Sequence, residues 1–312
     1  MKFIKSFKET NKKDVALAGG KGANLGEMLK IGIPVPLGFV VLASAFEKFL
    51  EETDINVEIK SMWNRINIED IESVEENSEI LRDLILKAKI PKEIEKEILD
   101  AFKRLKTKYV AVRSSATAED SKIDSWAGEL ETYLNTTKEN LIENVKKCWA
   151  SLFTPRAIFY RFKRNLQRKQ VQVAVVIQKM IQSEAAGVCF TVHPVTKDRN
   201  QMVIEVAWGL GEILVSGQIT PDTYVIEKNT LNILDKNINL QERMIVKTQG
   251  GNKIIATPKP KKEKQKLSEK QIKELAKLCI KIENHYKDPQ DIEWALEKNK
   301  FYTVQTRPIT AL

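Results

Sequence analysis

The chain has 312 residues, of which 42% are hydrophobic and 30% are charged, a composition ordinary for a folded domain with a substantial core. No apolar run reaches the roughly 18–20 residues that a membrane-spanning helix needs, and the N-terminus lacks the apolar segment of a secretory signal. The three cysteines lie far apart and fit neither a metal site nor a disulfide framework. We therefore expect a cytoplasmic protein without a membrane partner.

The first half of the chain predicts a glycine turn, a helical stretch and several strands. Residues 15–30 predict the glycine turn and the helix that follows it, with apolar residues on one side of the helix. Predicted helices cover 44–106, with a fresh start at Pro91, and 141–169, with a break near 154–155. Predicted strands cover 35–42, 109–113, 131–134 and 172–180. The run at 172–180 is continuous and β-branched, which is typical of a strand buried on both faces.

The second half is richer in strands and ends in a hairpin. The predicted strands are 187–191, 202–207, 224–227, 245–247, 291–296 and 301–307, the last two forming the hairpin. Residues 267–286 predict a helix with apolar positions at helical spacing. The mixture of helices and strands predicts an α/β fold. A break near 183–186 predicts two lobes, residues 1–185 and 186–312. We expect a ligand cleft between them, since clefts between lobes commonly hold ligands.

Formal net charge is +9, but most lysines stand beside glutamates on helix-like stretches, which indicates solvated faces. The one concentrated basic run is KPKKEKQK at 259–266, interrupted by Pro260. We expect this run to be a mobile surface loop, with contact to a partner as the alternative. Nucleic-acid binding, which requires an organised basic surface, is not favoured.

The glycine-rich segment GGKGANLG at 19–26 is the first candidate site. Glycines allow backbone N–H groups to approach an anion closely, and the following helix offers its positive end. Lys21 supplies a point charge suited to phosphate. The segment is not a Walker A loop, because Gly22 stands where that motif has Ser or Thr. An ordinary glycine turn with an exposed lysine is the alternative.

The segment VAVRSSATAED at 110–120 is the second candidate. Arg113, at a strand end before small hydroxyl residues, can bind phosphates bidentately. The alternative is an N-capped helix, with Ser114 or Ser115 as the cap. The third candidate is WAGELET at 126–132, in which Gly128 allows close backbone approach and Thr132 offers a hydroxyl. A loop leading into a strand explains this third segment equally well.

The fourth candidate is the terminal hairpin. Alternation places Asp291, Glu293 and Ala295 on one face of its first strand, and Ile292, Trp294 and Leu296 on the other. On the returning strand, alternation places Thr303, Gln305 and Arg307 together. A turn with an odd number of residues would put Glu293 opposite Gln305, giving two oxygen ligands suited to Mg²⁺. The alternative is a surface hairpin with a weak Glu–Arg pair.

Taken together, the segments resemble one family. The motifs GGKGANLGEM, AVRSSATAED, SLFTPRAIFYR, AWGLGE and DIEWA…VQTRP occur in the order found in phosphoenolpyruvate synthases, whose nucleotide-binding domain is shared by pyruvate phosphate dikinases and rifampin phosphotransferases. The resemblance covers residues 14–310. It implies one ATP-grasp-like domain, with ATP and Mg²⁺ held between two lobes.

The resemblance also implies roles for individual residues. It assigns Lys21 and Arg113 to the ATP phosphates, and Gly128 and Thr132 to a loop covering them. It places Gln178 near the adenine, beside a backbone hinge at 179–181.

In the second lobe, the resemblance implies that Glu293 and Gln305 hold Mg²⁺ and that Arg307 contacts the phosphates. Glu205 is a further residue near the metal or the ribose. Lys21, Arg113 and Arg307 would be the catalytic residues, since phosphoryl transfer depends on positioning and charge stabilisation.

The sequence departs from the family pattern in two ways. Glu129 and Trp126 replace the usual Gln and Phe of the phosphate-covering loop. Only two histidines occur, His193 and His285, and neither has the sequence context of the family's phosphate-carrying histidine.

The resemblance implies a phosphotransferase domain that passes phosphate from Mg²⁺-ATP to a histidine on another domain or chain, incomplete without the phosphohistidine and pyruvate-binding domains. In a synthase, ATP, pyruvate and water give phosphoenolpyruvate, AMP and phosphate overall. One alternative is the ATP module of a rifampin phosphotransferase-like antibiotic kinase. Another is a non-catalytic ATP-binding partner subunit.

Overall fold

The computed structural model describes residues 2–117, 131–166, 172–248 and 251–310. It divides into two compact units, one of residues 1–27 and 37–180 and the other of residues 28–36 and 181–312. The mixed α/β class predicted from the sequence is confirmed. No helix among the described residues is long and apolar enough to cross a membrane.

The first unit is built on a five-stranded sheet with the order β1-β2-β5-β3-β4. Its strands are β1 (Ile4–Ser6), β2 (Gly38–Val41), β3 (Val110–Ala116), β4 (Thr132–Thr136) and β5 (Val173–Lys179). Strand β5 is central and antiparallel to both of its neighbours. Six of its seven residues are buried, so the predicted burial on both faces is confirmed although the sheet is antiparallel.

Helices cover this sheet. They are α1 (Val15–Lys30), which belongs to the first unit up to Glu27, α2 (Ala43–Glu52), α3 (Ile55–Trp63), α4 (Ile71–Lys87), α5 (Lys92–Arg104), α6 (Leu141–Ala150) and α7 (Pro155–Lys163). The predicted break near 154–155 is present, because the Thr154 hydroxyl caps a new helix by accepting the Ala157 N–H at 3.2 Å. The core includes the Trp149 ring, which lies 5.4 Å from Phe46 and 5.0 Å from Phe49.

The second unit contains a six-stranded sheet with the order β13-β12-β6-β7-β8-β9 and a separate two-stranded hairpin. The sheet strands are β6 (Ala185–Phe190), β7 (Gln201–Trp208), β8 (Asp222–Glu227), β9 (Ile233–Asn237), β12 (Gln290–Glu297) and β13 (Lys300–Pro308). The hairpin consists of β10 (Arg243–Thr248) and β11 (Gly251–Ala256). The helices are α8 (Glu212–Val215) and α9 (Glu269–Tyr286).

Helix α9 supplies much of the core of this unit. A capping box begins it, in which the Ser268 hydroxyl accepts the Gln271 N–H. Its apolar stripe is fully buried at Ile272, Leu275 and Ile282, as its spacing predicts. Strand β12 contributes Ile292 and Trp294 to the buried side of the sheet.

The basic run at 259–266 is not a loop exposed along its whole length. Lys259–Lys261 forms a short 3-10 turn, and Lys266 is fully buried. The Lys266 ammonium forms an ion pair with Asp222 and also donates to the Asn239 carbonyl at 3.1 Å. The prediction of a mobile loop is therefore wrong at Lys266, because a buried carboxylate compensates its charge.

Candidate functional site

The glycine turn lies against strand β3. Gly19 has φ +66°, and a Cβ atom there would lie 2.2 Å from the Ser115 hydroxyl oxygen. That hydroxyl accepts the Gly22 N–H at 3.3 Å and donates to the Ala18 carbonyl at 3.0 Å. Gly19 has non-helical backbone angles and so interrupts α1 with a kink, which confirms the predicted glycine turn. The kink fixes the partly exposed Lys21 beside the end of β3.

The face of the first sheet beside this turn carries three further predicted residues. Arg113 on β3 pairs with Thr132 on β4, and Ala111, two residues before it, pairs with Gln178 on β5. Because paired residues share a face and alternate residues along a strand do too, Arg113, Thr132 and Gln178 lie on the same side as Ser115. We call Lys21, Arg113, Thr132 and Gln178 the cationic face.

Strand β3 continues through Ala116, so Ser114 and Ser115 lie within a strand. The alternative that either serine caps a helix is therefore wrong. The Ser114 hydroxyl instead donates to the Glu131 carbonyl of the neighbouring chain segment at 2.9 Å. Gly128, Glu129 and Trp126 lie outside the described residues.

Gln178 is only 2% exposed, and its side-chain nitrogen has no hydrogen-bond partner among the described residues. A buried amide without a partner costs free energy, so it is a candidate for contact with a ligand. The backbone hinge predicted at 179–181 has fewer N–H groups available to a ligand than the sequence suggested. The Lys179 N–H donates to the Leu37 carbonyl and the Met180 N–H donates to the Tyr109 carbonyl. Within the described ranges, the Ile181 N–H forms no such backbone hydrogen bond.

In the second unit, the hairpin places Glu293 opposite Gln305 and Asp291 opposite Arg307. The turn has two residues, Lys298 and Asn299, not the odd number expected. A β-bulge in β13 supplies the odd residue, because the register shifts between Glu293 and Trp294. The pairing was thus predicted correctly but for the wrong reason.

Because of the bulge, the face predicted for Thr303 is wrong. Thr303 pairs with Trp294 and is fully buried on the core side, so it does not share a face with Gln305 and Arg307. Simple alternation fails here because Val304 is the extra residue of the bulge. Without this extra residue, Gln305 would itself fall on the core side.

Asp291 and Arg307 form a close ion pair. The Arg307 Nε and Nη2 atoms donate to the same carboxylate oxygen of Asp291, Oδ2, at 2.8 and 2.6 Å. The other oxygen, Oδ1, is buried and has no hydrogen-bond partner among the described residues. Burial raises the pKa of Asp291, and the Arg307 charge offsets part of that rise.

Glu205 lies in the same row of the sheet as Glu293, with Val188 of strand β6 between them. Burial raises the pKa of Glu205, and the negative charge of Asp291 raises it further. We call Glu205, Asp291, Glu293, Gln305 and Arg307 the acidic face. Like-charged carboxylates on one face favour a bound cation, which removes their mutual repulsion.

The sequence placed Asp291 on the face of Glu293 without giving it a role. The alternating Asp-x-Glu pattern at the start of the hairpin was the available signal. Among the described residues, no three His, Cys, Asp or Glu side chains form a complete metal site. The acidic face offers carboxylate and amide oxygens, which are the ligand types that Mg²⁺ takes together with water and phosphate oxygens.

The two histidines have local structural roles. The His193 Nδ1 atom accepts the N–H groups of Val195 and Thr196, each at 3.2 Å. The His285 ring packs edge-on against Tyr286 near the end of α9.

Comparison with known proteins gives a family. The family described as "Pyruvate phosphate dikinase, AMP/ATP-binding domain" matches residues 15–312. A "Probable phosphoenolpyruvate synthase" of Methanocaldococcus jannaschii is 47% identical over all of this chain, which covers 27% of that protein. The phosphoenolpyruvate synthase of Pyrococcus furiosus is 42% identical over all of this chain, which covers 44% of it. The chain thus spans less than half the length of these relatives.

Among solved structures, D-alanine-D-alanine ligase from Helicobacter pylori aligns with 70% of this chain and 46% of its own, at 14% sequence identity. The TM-score is 0.32, which is too low to support an inference.

Proposed function

Because the chain belongs to the AMP/ATP-binding domain family of pyruvate phosphate dikinase, we propose that it binds ATP with Mg²⁺ and passes phosphate to a histidine on another domain or chain. The observation that carries the proposal is the acidic face, where Glu293 stands opposite Gln305. Beside them lies the buried Asp291 Oδ1 atom, which has no hydrogen-bond partner in the part of the chain that the structure describes. These oxygens are the hard ligands that Mg²⁺ takes in proteins.

In this proposal, the acidic face holds the metal through Glu293 and Gln305, with Asp291 and Glu205 as candidates to complete the set. A bound Mg²⁺ would neutralise charge on the transferring phosphates. Arg307, whose side chain is 36% exposed, contacts the phosphates while its ion pair with Asp291 fixes its orientation.

The cationic face binds the rest of the nucleotide. Lys21 and Arg113 contact the phosphates, and Thr132 and Gly128 cover them. The Gln178 amide donates to a ring nitrogen of adenine and so gains the hydrogen-bond partner that it lacks among the described residues.

The proposed chemical step has a nitrogen of the accepting histidine attack the β-phosphorus of ATP. The bond from that phosphorus to the oxygen bridging it to the α-phosphorus breaks, and AMP leaves with the electron pair. Lys21, Arg113 and Arg307 stabilise the charge that develops in the transition state. The accepting histidine and the final acceptor, pyruvate in a synthase-like reaction, belong to other domains or chains.

Calorimetric titration with ATP, with and without Mg²⁺, tests this assignment. We expect a single site whose affinity rises about tenfold or more with Mg²⁺, since the metal joins carboxylates to phosphates. Glu293→Ala should lose that metal-dependent gain. Glu274→Ala, which removes an exposed carboxylate from α9, is the matched control and should keep it.

Absence of ATP binding by the wild type at millimolar concentration would contradict the proposal. Equal loss of the magnesium effect in both variants would show that the acidic face is not the metal site.

A further inference from the structure

One surface of the second unit is strongly basic and takes no part in the proposed nucleotide site. It comprises residues 243–248 and 251–264, which include strands β10 and β11 and the 3-10 turn Lys259–Lys261. We call it the basic strip. It contains seven lysines and arginines and one glutamate, a net formal charge of +6 against +9 for the whole chain. Most of the protein's excess positive charge is therefore concentrated in one short segment.

The base of the basic strip is fixed to the sheet by backbone contacts. Gly209, with φ +89°, forms a parallel bridge with Ile245, and a Cβ atom there would lie 2.4 Å from the Ile245 oxygen. The Leu210 N–H donates to the same oxygen at 2.9 Å. The buried Gln241 side chain bonds both the N–H and the carbonyl of Trp208. The AWGLGE motif therefore anchors this hairpin, a role that the sequence did not suggest.

The basic strip exposes both charged and apolar side chains. Lys253, Lys259 and Lys264 are exposed, and none has a side-chain hydrogen bond or ion pair among the described residues. Ile254 is 46% exposed and the adjoining Leu240 is 52% exposed. Apolar side chains within a charged rim are characteristic of protein interfaces.

Two further features favour an extended polypeptide as the occupant. Among the described residues, β11 pairs only with β10, so its outer edge can accept another strand. A depression of about 360 Å³ lies at the base of the hairpin, lined by residues 217–220 together with Leu240, Glu242 and Arg243. Arg243, which lines this depression and pairs with Ala256 at the end of β11, adds an exposed cation at this end of the hairpin.

We propose that the basic strip docks an acidic, extended segment of a partner protein along β11. Carboxylates of the segment pair with Lys253, Lys259 and Lys264, and its apolar residues cover Ile254. Single-stranded nucleic acid fits less well, because residues 243–264 contain no Phe, Tyr or Trp on which bases could stack.

Fluorescence anisotropy with a labelled peptide of alternating Glu and Val residues tests the proposal on the full chain. The variant Lys253→Glu/Lys259→Glu/Lys264→Glu should bind the peptide about tenfold or more weakly than wild type, since three exposed ion pairs become repulsive. The control variant Lys270→Glu/Lys273→Glu/Lys277→Glu makes the same charge change on exposed positions of α9 and should bind within about twofold of wild type.

ATP titration of the same variants separates this proposal from the nucleotide site. The basic-strip variant should bind Mg²⁺-ATP as wild type does, which also shows that it is folded. Equal peptide affinity in wild type and the basic-strip variant, or equal loss in both triple variants, would overturn the proposal. Tighter binding of a charge-matched oligothymidine than of the peptide would overturn it in favour of nucleic acid.

Discussion

Lys21 and Glu293 reach their positions by different physical means. Lys21 follows a turn at Gly19 whose backbone touches Ser115, so its position depends on the absence of a side chain. Glu293 faces Gln305 because one extra residue in β13 shifts the pairing of the hairpin. The cationic face thus depends on close backbone packing, and the acidic face depends on strand register. We therefore expect the cationic face and the acidic face to respond differently to substitution.

The largest expected effect on stability is at Gly19. Gly19→Ala would place a methyl group against Ser115 at a positive φ, so we expect it to lower the free energy of unfolding by about 2–4 kcal/mol. Gly217→Ala is the matched control, because Gly217 has φ +67° and no atom of the described residues lies within 4 Å of the added Cβ. Gly217→Ala should lower the free energy of unfolding only by the backbone strain, about 1 kcal/mol.

Urea unfolding of both variants measures the difference. Equal losses of unfolding free energy in the two variants would show that backbone strain, not packing against Ser115, fixes the turn.

A smaller effect is expected at Glu205 on the acidic face. Burial and Asp291 raise its pKa in the folded protein, so the folded state holds its proton at a pH where the unfolded chain has released it. This group therefore contributes stability below its ordinary pKa and loses that contribution as pH rises through the raised pKa. Glu205→Gln should raise the free energy of unfolding at neutral pH by about 0.5–1 kcal/mol, a value reduced for partial exposure.

Unfolding at several values between about pH 4 and pH 8 tests this expectation, because the gain should shrink at the acidic end. Glu274→Gln, at an exposed position of α9, should show no such trend. A gain at Glu205 that is the same at all pH values would mean that packing, not charge, is responsible.

The smallest expected effect is in the hairpin turn. Lys298 and Asn299 both have positive φ, of 51° and 57°, as in a type I′ turn. Lys298→Asn should stabilise the protein by a few tenths of a kcal/mol, because asparagine tolerates this conformation better than lysine. Thermal unfolding should show a small rise in Tm, and a clear fall would indicate that the Lys298 side chain has a role of its own.

The parts of the fold that the sequence predicted are those with a strong local signal. Strand β5 is a continuous β-branched run, helix α9 has a regular apolar stripe, and the break before α7 has a Thr-Pro start. Strands β1, β9 and β11 were missed. They are short or largely exposed, so their residues do not alternate between polar and apolar.

The candidate site was predicted less completely than the fold, because its geometry depends on features that the local sequence does not signal. The opposition of Glu293 and Gln305 depends on a bulge, and a bulge has no sequence signal comparable with a glycine turn. The burial of Lys266 depends on Asp222, which is distant in sequence. The unpartnered oxygen of Asp291 also depends on tertiary packing. None of these can be derived from local pattern alone.

In the proposed function, the cationic face binds the ATP phosphates directly and the acidic face binds them through Mg²⁺. Calorimetric titration of Lys21→Ala and Glu293→Ala with ATP, each with and without Mg²⁺, tests it most directly. Lys21→Ala should weaken binding in both conditions, whereas Glu293→Ala should weaken it only when Mg²⁺ is present. Equal weakening by Glu293→Ala with and without Mg²⁺ would contradict the assignment of the metal to the acidic face.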